Sequence, residues 1–189
     1  MLPNFILFLI LGSLVSAIGF ATNSAPAVMG SMLISPLLSP LFNLAETSQN
    51  VKFSDVYNTA MYIAIGIAIC TSIGYLVARV VKPAESEEMI SRLGYKRTTK
   101  HLIMNAMIPA LCGIILVFAK ADGNILAMTG VGLSIAVLPP LVNSGMYLEK
   151  GEHTKAWSSF EYALVNIVVI TTFYFLTLNF VPLSIRSGN

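Results

Sequence analysis

The sequence predicts an all-α polytopic membrane protein of about six transmembrane segments, arranged as two inverted three-helix repeats with proline-broken second helices. Three observations lead there. Of its 189 residues, 56% are hydrophobic and only 11% charged, against about 25% charged in a soluble domain. The apolar residues gather into six runs of roughly membrane-spanning length, where a span needs about 20 residues. Finally, the chain matches itself at an offset of one hundred. Laid on 5–81, residues 105–181 agree at 14 of 77 positions without a gap. Chance in so biased a composition gives roughly five, so a duplication is the better account. The densest match is G-x-x-L-x-x-x-x-L-x-P-L-x-N, at 30–43 and again at 130–143.

Residues 4–22 form the first apolar run. They lack the basic start of a signal peptide and run longer than its apolar core, so a first transmembrane helix is expected. Residues 25–44 are apolar but interrupted by Pro26, Pro36 and Pro40, and 56–81 make a long run ending at Arg79 and Lys82. The second copy follows the same plan. Residues 102–120 repeat the first run, with Asn105 and Pro109 as flaws. Residues 124–146 repeat the interrupted one, with Pro139 and Pro140, and 156–181 repeat the third. The expected organisation is a single membrane domain over 1–189: repeat one at 5–81, a connecting loop at 82–101 and repeat two at 105–181.

Three crossings per copy make the second copy enter from the opposite face, which inverts it. If the interrupted segments re-enter instead, each copy crosses twice and the copies are parallel. The basic residues set the orientation. Arg79, Lys82, Arg92, Lys96, Arg97, Lys100, Lys150 and Lys155 fall on one side, and only Lys52, Lys120 and Arg186 on the other. The richer side is read as cytoplasmic, with both termini outside. A multi-pass protein of the plasma membrane is expected. Loop 82–101 carries Glu85, Glu87 and Glu88 ahead of a basic stretch, which suits a short interfacial helix with acids in its first turn. It reads as a solvated connector, or as a contact for anionic lipid headgroups through Arg92, Lys96, Arg97 and Lys100.

The candidate pathway lies at the interruptions. Proline removes a backbone donor and crowds the carbonyl four residues earlier. In hydrocarbon such carbonyls need partners, so the break must sit inside protein or beside water. Ser35 and Ser39 precede Pro36 and Pro40 and can bond those carbonyls. In the second copy Pro140 disfavours helix at Pro139, which makes this pair the expected point of a break. Ser35, Pro36, Ser39, Pro40, Asn43, Ser134, Pro139, Pro140, Asn143 and Ser144 are the candidates, with Asn166 the one amide well inside the last span. The competing reading is a pair of kinked packing helices with small residues at close approach.

The remaining chemistry is excluded by what the chain lacks. All nine carboxylates lie in loops or at span ends, and no charged residue or histidine stands at mid-span. Proton relays and voltage sensors need such groups. No phosphate-binding loop, HExxH or GxSxG occurs, so enzymatic activity is not expected. Cys70 and Cys112 lie in apolar runs and make no disulfide framework, and His101 and His153 form no metal cluster, so no cofactor or metal is expected. The basic residues form no nucleic-acid footprint.

G-S-M-L-I-S-P-L at 30–37 and G-V-G-L-S-I-A-V-L-P-P-L-V-N-S-G at 130–145 resemble the family of hydrophobic membrane proteins catalogued as domain of unknown function 389. Glu88 and Arg92 fit that family's E-x-x-x-R loop, and Asn166 fits its late asparagine. Ser31 stands where the family has alanine, and Lys100-His101-Leu102 where it has an acid before the leucine. The resemblance implies the fold and carries no settled activity.

The function expected from these readings is a transporter or channel for a small anion or neutral polar solute, through a midplane site between the interrupted helices. The alternative is a non-transporting scaffold or sensor acting through loop 82–101. The partners expected are the lipid bilayer and a small solute or ion. A homo-oligomer is left open.

Overall fold

A computed structural model describes residues 2–37, 40, 53–81, 99–134 and 137–180. Among them are seven helices and no strand. These are α1 (Leu2–Ala21), α2 (Ala25–Ile34), α3 (Phe53–Val80), α4 (Thr99–Ala121), α5 (Ile125–Ser134), α6 (Leu138–Glu149) and α7 (His153–Phe180). The described residues are all-α, as the sequence predicts. Three helices are long and apolar enough to cross a membrane: Pro3–Ala21, Tyr57–Val80 and His153–Phe180, at mean hydropathies of 2.2, 2.0 and 1.8.

The surface is consistent with lipid. Leu76, Leu111 and Val168 are 57%, 55% and 62% exposed on three different helices, and a monomer in water seldom shows so much apolar area. The interior holds Ser13, Ser16, Ser31, Asn143, Ser144, Ser159 and Asn166, all buried. Small and polar residues inside with apolar ones outside is the arrangement that lipid favours.

The two copies share their local geometry. α1 ends at Ala21 and α4 at Ala121; α2 ends at Ile34 and α5 at Ser134; α3 spans Phe53–Val80 and α7 His153–Phe180. The turns agree as well. After α1, Ser24 N donates to Gly19 O (2.8 Å) and Asn23 N to Phe20 O (3.3 Å). After α4, Asn124 N donates to Ala119 O (2.8 Å) and Gly123 N to Lys120 O (3.1 Å). Both are Schellman ends, which need a left-handed residue past the cap. Asn23 (φ 53°) and Gly123 (φ 63°) supply it. The next residue then caps the following helix: Ser24 Oγ accepts from Ala27 N at 3.4 Å, and Asn124 Oδ1 from Ala127 N at 3.0 Å.

Packing follows the same plan. α1 packs on α2 and α3, and α4 on α5 and α7. The rings of Phe5 and Tyr62 lie 5.1 Å apart edge to face. A Cβ built on Gly66 would lie 3.8 Å from Leu9 Cδ1. Ser13 Oγ donates to Cys70 Sγ at 3.4 Å, fifty-seven residues on. All three pairs share that separation, so α1 and α3 run parallel. Across the copies, α3 packs on α6 with almost no side chain between. A Cβ on Gly74 would overlap the carbonyl oxygen of Val142, and one on Gly145 that of Thr71.

Two expectations about prolines need correction. Pro26 does not interrupt its segment, because it stands in the first turn of α2. Pro139 and Pro140 likewise lie in the first turn of α6, and Pro139 is helical rather than pushed out. First-turn N–H groups have no intrahelical acceptor, so proline gives up nothing there and its fixed φ suits the start. Pro109 stands inside α4 and the helix continues through it.

Candidate functional site

The first interruption is a backbone turn at Ser35. It caps α2 with extended angles (φ −70°, ψ 123°), the region that a residue before proline prefers. Ser35 Oγ accepts from Leu37 N at 3.4 Å. Pro36 withholds the donor that would serve the carbonyls of Met32 and Leu33. Leu37 is buried between α1 and α3, against Gly66. Pro40 is buried. Ser39 and Asn43 lie outside the described residues.

The second interruption separates α5 from α6. Ser134 closes α5, is exposed, and donates Oγ to Gly130 O at 2.8 Å. Val137 precedes α6 with no side-chain cap, and residues Leu138 through Tyr147 are all buried.

The helix turns beside the two interruptions approach each other across α1. A Cβ on Gly12 would lie 3.4 Å from Ser31 O, 3.7 Å from Ile34 Cβ and 3.4 Å from Leu138 Cδ1. The last turn of α2 and the first turn of α6 therefore meet at one point of α1. α2 also packs on α5.

Asn143 and Ser144 leave α6 in other directions. Asn143 is 1% exposed; Nδ2 donates to Ser159 Oγ on α7 at 3.4 Å, while Oδ1 has no partner among the described residues. An unmatched acceptor in so dry a place costs about 1–3 kcal/mol. Asn166 is buried on the face of α7 that also carries Ala156, Ser159, Ala163 and Ile170. The antiparallel pairing of α6 with α7 sets Asn166 level with the start of α6.

Ser144 opens onto a groove of about 690 Å³. Its walls are Ile67, Ala68, Thr71 and Ser72 of α3, Ser144 and Leu148 of α6, and His153, Ala156, Trp157 and Phe160 of α7. The turn at its mouth is held by Gly151 (φ 73°) and by a 2.6 Å ion pair between Lys155 and Glu152.

Of the predicted residues, Ser35 and Pro36 follow the turn of α2 that meets Leu138, the residue before Pro139 and Pro140. Asn143 and Ser144 gather on the α6–α7 side with Asn166 further along α7. Ser134 stands apart on the surface. Arg92, Lys96 and Arg97 lie outside the described residues, and Lys100 is described only as backbone in α4. Sequence reasoning missed Ser159, although its place seven residues before Asn166 puts both on one helix face. It also missed Gly12, Ser16, Gly74 and Gly145. Among the described residues no group of histidines, cysteines or carboxylates has the makings of a metal site.

No curated protein and no solved structure matches the chain. One family model, described as Domain of unknown function (DUF389), matches residues 32–172. That span runs from the last turn of α2 through both interruptions and past Asn166 to Thr172, and the chain belongs to this family.

Proposed function

We propose that the chain is a multi-pass transporter or channel of the plasma membrane, carrying a small anion or neutral polar solute between two inverted repeats. The observation that carries the reading is the meeting of α2 and α6 at Gly12. On this reading, the helix end before Pro36 and the helix start that carries Pro139 and Pro140 come together inside the protein. Irregular backbone persists at membrane depth only where protein buries it or water reaches it. Half-helices that end near the midplane of a duplicated fold are a known way of building a solute site.

The helix directions support inversion. α1 and α3 are parallel, so the stretch between them returns the chain to its starting side. Adding the fifty-seven-residue register puts Gly12 level with Ile69. Leu138 meets Gly12, and Val142 meets Gly74. Moving from Leu138 to Val142 thus advances in the direction of α3, and α6 runs with it. α7 returns antiparallel to α6, and so against α3. The aromatic residues fit: Tyr57 and Trp157, a hundred apart, are each 63% exposed, as residues of a membrane–water boundary are. With loop 82–101 cytoplasmic and the termini outside, they mark opposite boundaries.

The test is solute flux in proteoliposomes. Replacing Pro36, or Pro139 together with Pro140, by alanine should change flux more than it changes yield. No flux under any gradient, combined with loss of biological activity on neutralising Arg92, Lys96, Arg97 and Lys100, would favour a scaffold or sensor instead.

A further inference from the structure

Gly12, Ser16 and Gly19 stand at i, i+4 and i+7 on one face of α1. Gly12 meets Ser31 O and Leu138, and Gly19 meets Ala27 and Val28. Ser16 lies between them, over the turn of α2 that runs from Val28 to Ser31. It is 0% exposed, and its Oγ has no hydrogen-bond partner among the described residues. Ser31 cannot serve it as a donor, because its own hydroxyl is committed to Val28 O at 2.6 Å.

The groups around Ser16 share a polarity. One turn from Ser16, at Gly12, α2 ends, and a helix end presents carbonyls and partial negative charge. Pro36 takes away the donor that would cover the carbonyls of Met32 and Leu33. α6 begins here, and a helix start ordinarily offers free N–H groups to an anion. Pro139 and Pro140 have none to offer. Neither α1, α2 nor α6 contains a lysine, arginine or histidine. Leu138 keeps the one N–H of that first turn, so the seam is richer in acceptors than in donors. It also lacks a carboxylate to balance a full positive charge, since the one acid in these helices is Glu149 at the far end of α6.

We infer that the solute at this seam is neutral and donates hydrogen bonds, and that Ser16 Oγ is one of the acceptors that hold it. This rests on the transport reading and narrows it, by setting the anion aside.

The experiment compares glycerol and urea with chloride and nitrate, in proteoliposomes of the full chain. Glycerol or urea should enter faster than into empty liposomes, with no added anion conductance. Ser16→Ala should lower that flux by about three- to tenfold, the worth of one hydrogen bond, with an unchanged melting temperature in detergent. A second variant, Ser16→Cys in a chain carrying Cys70→Ala and Cys112→Ala, should react with a small thiol reagent, and glycerol should slow that reaction. Anion flux that excludes glycerol and urea overturns this inference and leaves the transport reading standing. Absence of all flux overturns both. Glycerol flux indifferent to Ser16→Ala, or a thiol reaction of the Ser16→Cys variant indifferent to glycerol, removes Ser16 from the site.

Discussion

Gly145 faces Thr71 so closely that a Cβ would run into the Thr71 carbonyl oxygen, and Gly74 stands in the same relation to Val142. This reciprocal contact joins α3 of one copy to α6 of the other. Gly74→Ala or Gly145→Ala should destabilise the protein by about 1–3 kcal/mol, because backbone cannot step aside as a side chain can. Gly30 and Gly130 have nothing within 4 Å of a built Cβ. Alanine there should be neutral, or stabilising by about 0.5–1 kcal/mol. Thermal unfolding in detergent measures both, and equal effects at all four positions would contradict the packing described.

The matched turns predict an exchange. Asn23 and Gly123 occupy equivalent left-handed positions, and asparagine tolerates that region where β-branched residues do not. Gly123→Asn should leave the melting temperature nearly unchanged, whereas Gly123→Val should cost about 1–2 kcal/mol.

The buried amide at α6–α7 predicts coupling. Asn143→Ala should destabilise by about 1–2 kcal/mol, and Ser159→Ala by a similar amount or less. Because the two share one hydrogen bond, the double variant should cost less than the sum. A double-mutant cycle reads the difference, and strict additivity would mean that the 3.4 Å contact contributes nothing.

Orientation can be read at the helix starts. In a chain lacking Cys70 and Cys112, Tyr57→Cys should react with a membrane-impermeant thiol reagent from outside, and Trp157→Cys only after access to the inside. Labelling of both from one side would rule out inverted copies.

Much of the fold was legible in the sequence, since the hundred-residue offset that aligns residues also aligns helix ends and turns. The prolines were harder to read. Pro36 does follow a helix end, but Pro26, Pro139 and Pro140 sit just inside helix starts. A proline in an apolar run marks either event, and only the position of the cap tells which. Asn143 and Asn166 were visible as amides in apolar company, because such a group must face the interior. Ser16 was not. A lone serine in a span looks the same whether its hydroxyl bonds its own helix or stands open, and only the neighbouring helices decide that.

The fifty-seven-residue register between α1 and α3 bears on how the chain is made. If both helices are threaded into a bilayer with the same heading, residues 22–52 must be carried back through it before α3 can enter. α2 is only ten residues long, about 15 Å or half the hydrocarbon thickness. α2 by itself is too short to cross, so its insertion has to wait for neighbours already in place. Assembly of the first copy is then a late, cooperative event, and not a sequence of independent hydrophobic steps.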